Sequence, residues 1–185
     1  MINQLPKANI SVIKLHHSIK NILPFVWKGY GSSVKYTYIL KEIYEKESIL
    51  LENLSSNTRK NIKKAEKKLE VFESQDISKL HELIDMTFQR QNLNIPYSKD
   101  NLISLFKACK ANSCCKILMT KDNQNNIHSG ILLVWNKKTV YYLVGGSNPA
   151  FRNSEAMTLI MWESVKFASS FAQEFDFEGT MIESI

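Results

Sequence analysis

The chain has 185 residues, enough for one domain or a domain with an extra lobe that buries roughly two-thirds of its unfolded surface. Hydrophobic residues are 44% and charged residues 23%, and no apolar run approaches the roughly 18 residues of a membrane span. The net charge of +6 is concentrated in residues 58–68, which hold six basic side chains and one acid, so a local anion site is favoured over a polyanion-coating surface.

No basic, apolar leader opens the chain, so the expected location is cytoplasmic. "ISVIKLH" (10–16) and "KYTYIL" (35–40) alternate as strands do, and "LPFVWKGYGSS" between them carries the Pro and Gly of a loop. From about Ser56 to Leu69 the period changes to that of a helix, with Ile62, Ala65 and Leu69 on one stripe. Arg59, Lys60, Lys63, Lys64, Lys67 and Lys68 take the remaining face.

If Ser55, Ser56 or Asn57 caps that helix, Arg59 and Lys60 stand in its first turn, where the dipole disfavours cations. An anion held by these side chains and the first amides would reverse the sign of that effect. The alternative is a solvated lysine face.

"EVFES" reads as a short strand. "DISKLHELIDMTFQRQN" and "KDNLISLFKACKAN" read as two helices opened by Asp and Ser caps. "CCKILMTKD", "IHSGILLVWN" and "TVYYLVGG" then form three apolar runs separated by turns, which predicts antiparallel strands.

Gly145 and Gly146 end the third run, and the chain passes Pro149 and Arg152 into a helix expected over 154–172. Paired glycines at a strand end allow a ligand to approach the backbone, and an ordinary turn with a cap is the alternative. In "FDFEG" (175–179) strand period puts Asp176 and Glu178 on one face, either as carboxylates that bind or deprotonate an amine or as a polar edge. The fold class these elements predict is α/β or α+β with a mixed sheet.

Cys109, Cys114 and Cys115 are odd in number and include an adjacent pair, so reduced thiols are expected rather than a disulfide framework. They and the four histidines lack metal-ligand spacing, and no metal site is expected.

"LPFVWKGYGSSVKYTYIL", "TRKNIKKAEKK", "TFQRQN", "YYLVGGSNPAFRNSEAMTLIMWESVKFA" and "FDFEGTM" occur in the order found in Fem-like proteins, and the chain resembles that family from about residue 10 onward. Fem-like proteins are aminoacyl- or acyltransferases related to peptidoglycan-bridge enzymes, with acetyltransferase-like (GNAT) domains. The resemblance implies a mixed, largely antiparallel GNAT-like sheet flanked by helices. It also implies acyl or aminoacyl transfer from a thioester or aminoacyl-tRNA to an amine, with positioning and oxyanion stabilisation supplying the catalysis.

By position, Arg59, Lys60 and Lys63 would then meet phosphates, Gly145 and Gly146 would lie beside the acyl group, and Asp176 with Glu178 would be the acidic pair; Arg152 is a further candidate for substrate or phosphate binding. The co-substrate implied is acyl-coenzyme A or aminoacyl-tRNA, with no tightly bound cofactor. The acceptor implied is a small-molecule or cell-wall-precursor amine. The alternative function is a non-catalytic phosphate- or RNA-binding module using the helix at 58–68.

Residues 1–55 are expected to be the remnant of a preceding lobe, and 56–185 a GNAT-like domain cut short at its end, with a homodimer as one way to complete it. One departure stands out: related chains tend to have Gly soon after the loop Arg and Ser, whereas this chain has Glu155, whose charge disfavours a pyrophosphate.

Overall fold

The computed structural model describes residues 9–34 and 36–178. Two compact units divide the chain, one running up to Tyr36 and the other beginning at Thr37. In the first, residues 10–16 form no strand; among its described residues there is a short helix α1 (Leu23–Val26) with Pro24 in its first turn. The Phe25 and Tyr30 rings meet edge to face at 6.1 Å.

The second unit contains a six-stranded sheet of order β1-β6-β5-β4-β3-β2. Its strands are β1 (Ile39–Lys41), β2 (Leu69–Ser74), β3 (Cys115–Asp122), β4 (Ile127–Trp135), β5 (Thr139–Ser147) and β6 (Glu174–Asp176). Every neighbouring pair is antiparallel except β5 and β6, which are parallel. Parallel neighbours need a crossover, here α6 (Ala156–Ser169).

Two helical layers cover the sheet because successive strand residues point to opposite faces. On one face α4 (Ile77–Arg90) and α5 (Lys99–Ala111) bury Leu80, Ile84, Leu102 and Phe106 against Ile117, Met119 and Leu132. On the other, α3 (Ser56–Glu66) and α6 bury Ile62, Ala65, Leu159, Ile160 and Ala168 against Leu118, Ile131, Leu133, Val140 and Phe175. The expected fold class is the observed one.

The caps follow the sequence rules. Ser55 Oγ accepts from the Thr58 amide at 3.1 Å, Asp76 Oδ1 from Lys79 at 2.8 Å, and Ser98 Oγ from Asn101 at 3.2 Å. Helix α2 (Glu47–Asn53) was not expected; its sequence has Glu47 in the first turn and sets Leu50, Leu51 and Leu54 against the core, but it is too short for a clear period.

Candidate active site

Strands β5 and β6 pair only from Thr139–Glu174 to Tyr141–Asp176. Beyond Tyr141, β5 runs on to Ser147 while β6 ends at Asp176, so among the described residues no strand pairs with this side of β5 past Tyr141. Just past that point β5 shifts register against β4: Leu132 pairs with Val144 and Leu133 with Tyr142, leaving Leu143 bulged. A bulge takes backbone polar groups out of the ladder and twists the strand, and both effects suit a ligand laid along this side of β5.

Tyr142 is half-buried at this point and its hydroxyl makes no hydrogen bond among the described residues. Burial, and then the charge of Tyr97, push its phenol above the usual tyrosine range. It therefore keeps its proton at neutral pH. Its sequence signal was a pair of tyrosines in the strand run that ends in Gly145 and Gly146.

Gly145 and Gly146 have different neighbours. A Cβ on Gly145 would stand 2.6 Å from the Tyr142 hydroxyl and 2.8 Å from Ile131. A Cβ on Gly146 would stand 2.2 Å from the Leu83 carbonyl oxygen, so the space beside this glycine is filled by the backbone of α4.

From β5 the chain enters a 3₁₀ segment, Pro149–Ser154, and then α6. Glu155 at the helix entry has φ 62°, the left-handed conformation that favours glycine, and its carboxylate accepts from the Thr158 hydroxyl at 3.2 Å. Arg152 is exposed on the segment, and the Ser154 hydroxyl oxygen is buried with no partner. The first amides of α6 follow directly, so this turn carries donors for an anion.

Asp176 is 5% exposed, and one carboxylate oxygen accepts from the Thr37 hydroxyl and, at 2.8 Å, from the Glu178 amide. Glu178 lies beyond the strand in a left-handed conformation at φ 58°, so the strand alternation that would align the two carboxylates stops at Asp176. The pairing with Thr37 is 139 residues long in sequence and had no local signal.

Arg59 Nη1 donates to the Glu52 carbonyl oxygen at 2.6 Å and to that of Leu54. The negative group it meets is the C-terminal end of α2. This resolves the cation in the first turn of α3, since the end of one helix compensates the start of the next. Lys60, Lys63, Lys64, Lys67 and Lys68 are exposed and have no acidic partner among the described residues.

The family model described as an acetyltransferase (GNAT) domain matches residues 56–179. The chain belongs to this GNAT family. FemX, a solved structure, superposes on 80% of this GNAT chain with a TM-score of 0.72 and 16% identity, over 54% of its own length. A conserved protein from Bacteroides thetaiotaomicron matches 79% of the chain with TM-score 0.52 and 13% identity, over 52% of its own length. The C-terminal domain assigned to a lysylphosphatidylglycerol synthetase from Agrobacterium fabrum matches 86% at the same TM-score and identity, over 51% of its length.

The chain thus spans about half the length of each of these structures, and the likeness is one of fold. No curated protein matches it. Among the described residues no helix is long and apolar enough to cross a membrane, and no group of three or more His, Cys, Asp or Glu is placed to hold a metal ion.

Proposed function

We propose that this GNAT domain transfers an acyl group from an acyl-coenzyme A thioester to an amine. The observation that carries the reading is the stretch of β5 past Tyr141, beside which no strand pairs among the described residues on the β6 side, together with the bulge at Leu143. The thioester carbonyl would lie along the unpaired edge of β5, where backbone N–H groups released from pairing stabilise the developing oxyanion.

The diphosphate of coenzyme A would rest on the turn before α6, against the Ser154 hydroxyl and the first helical amides, with Arg152 at its rim. That unpartnered buried oxygen is what makes the turn fit an anion; Glu155 opposes it. An amine that has given its ammonium proton to solvent attacks the carbonyl carbon, the nitrogen of the tetrahedral intermediate loses its extra proton to water, and the C–S bond breaks to release the thiolate as the amide forms. Tyr142 holds a proton that it can give to the thiolate, because burial keeps the phenol protonated.

In this reading Asp176 and Glu178 form the acidic end of this edge and draw a cationic amine toward it, with Asp176 fixed by Thr37 and by the Glu178 amide. The acceptor class is a small-molecule or cell-wall-precursor amine. The reduced thiols Cys109, Cys114 and Cys115 fit a cytoplasmic setting.

A second reading draws on the unpaired lysines of α3: an aminoacyl-tRNA donor, or RNA alone, held by Lys60, Lys63 and their neighbours. Thiol release from acetyl-coenzyme A in the presence of a panel of amines separates the two. Turnover that saturates in thioester supports the first reading. Salt-steep RNA binding without any thiol release supports the second.

A further inference from the structure

Among the described residues two buried side-chain atoms lack a hydrogen-bond partner: Ser154 Oγ, at the end of the segment Pro149–Ser154, and His128 Nδ1, on a ring stacked against Phe151 of that segment. Buried polar groups are ordinarily paired, because leaving one unpaired costs stability. Two such atoms, one within this segment and one on a ring packed against it, single out this corner of the fold.

His128 is 6% exposed at the start of β4. Its Nε2 lies 3.2 Å from Asp122 Oδ2, and its ring stacks on that of Phe151 with centroids 4.0 Å apart and planes 6° from parallel. Asp122 is itself held by the Asn126 side chain at 2.9 Å and by the amides of Gln124 and Asn126. A continuous line of contacts therefore runs from the β3–β4 turn, through the imidazole, to the middle of the segment that enters α6.

That segment needs outside support. It is a 3₁₀ turn, whose hydrogen bonds are poorer than those of an α-helix, and Phe151 within it departs from helical angles at φ −111° and ψ 24°. With Nδ1 unpaired among the described residues, the Asp122 contact and the stack are what fix the plane of the imidazole.

We propose that His128 is a positioning residue: anchored by Asp122, its ring is the platform on which Phe151 rests, and it thereby holds Ser154 and the α6 amides where the acyl donor's phosphates bind. The proposal rests on the reading of this turn as the donor-phosphate site. An imidazole suits the task better than an apolar ring, since Nε2 ties it to Asp122 and stops it sliding under Phe151.

The test compares His128→Ala and His128→Phe with the wild type in three measurements: thermal unfolding, hydrogen exchange of amides 150–156, and thiol release from acetyl-coenzyme A. His128→Ala should raise the exchange of those amides and the KM for the thioester by roughly three- to tenfold, the range one aromatic pair is worth. Its kcat should stay within about twofold, the pattern of lost uniform binding. His128→Phe, which keeps the stack, should recover most of both effects.

Unchanged exchange in a folded His128→Ala protein would overturn the proposal, and so would faster exchange with an unchanged KM. If the wild type releases no thiol from any acyl-coenzyme A while exchange responds as predicted, the donor reading of the turn fails and His128 is left with a packing role alone.

Discussion

The Tyr142 hydroxyl stands 2.6 Å from the point that a Cβ on Gly145 would occupy, so one residue can be large only because the other is glycine. Gly145→Ala must displace the phenol and destabilise the fold by roughly 1–3 kcal/mol, the usual cost of overpacking. Because Ile131 lies 2.8 Å from the same point, Tyr142→Phe should relieve only part of this. A double-mutant cycle of denaturation midpoints should return a coupling of about 0.5 kcal/mol or more. Tyr142→Phe alone should lower kcat by roughly a hundredfold if the phenol donates to the leaving thiolate.

Glu155 carries both a left-handed backbone and a negative charge at the entrance to α6. Glu155→Gly removes both. It should stabilise the protein by about 1 kcal/mol through the backbone term and tighten acetyl-coenzyme A binding. Thermal unfolding checks the first effect and calorimetric titration the second. Glu155→Gln, which keeps the Cβ, should show the tighter binding with little of the gain in stability.

Arg59 ties the end of α2 to the start of α3. Arg59→Ala should cost about 0.5–1.5 kcal/mol in chemical denaturation, since a partly exposed charge is caring for two carbonyls. Lys60→Ala and Lys63→Ala should stay within about 0.5 kcal/mol of the wild type, being exposed and unpaired. Loss of RNA or phosphate binding in the lysine variants, with stability intact, would separate the two roles of this helix.

Asp122 sets the acid limit of the β3–β4 turn. The Asn126 side chain most of all, then the Asn126 amide, His128 and the Gln124 amide, hold its carboxyl down at about 2, against an opposing contribution from burial. Its folded value lies below the ordinary 3.8, so its contribution to stability is complete above about pH 4 and fades as the pH falls toward 2. Unfolding curves across that window should be steeper in pH for the wild type than for Asp122→Asn.

The core and most elements were legible in the sequence because they obey short-range rules. The 3.6-residue stripe of Ile62 and Ala65, the caps Ser55, Asp76 and Ser98, and the apolar runs through residues 117–119 and 131–133 each recur in the fold. The candidate site was less legible because it is made by pairings distant in sequence. Thr37 on Asp176, His128 on Phe151 and the α4 backbone over Gly146 join elements that no local window spans.

Residues 10–16 alternate like a strand and form none in the described unit, since alternation without a pairing partner does not make a strand. The charge of Arg59 was equally visible, but its partner was a helix the sequence pattern did not reveal.

In the proposed function, the β5 edge past Tyr141 and the turn at Ser154 receive an acyl-coenzyme A. Isothermal titration of the protein with acetyl-coenzyme A, beside Ser154→Ala, tests it most directly. Saturable one-to-one binding that weakens by roughly fivefold or more when the Ser154 hydroxyl is lost is the expected result. Absence of binding by the wild type, or equal affinity in the two proteins, would contradict it.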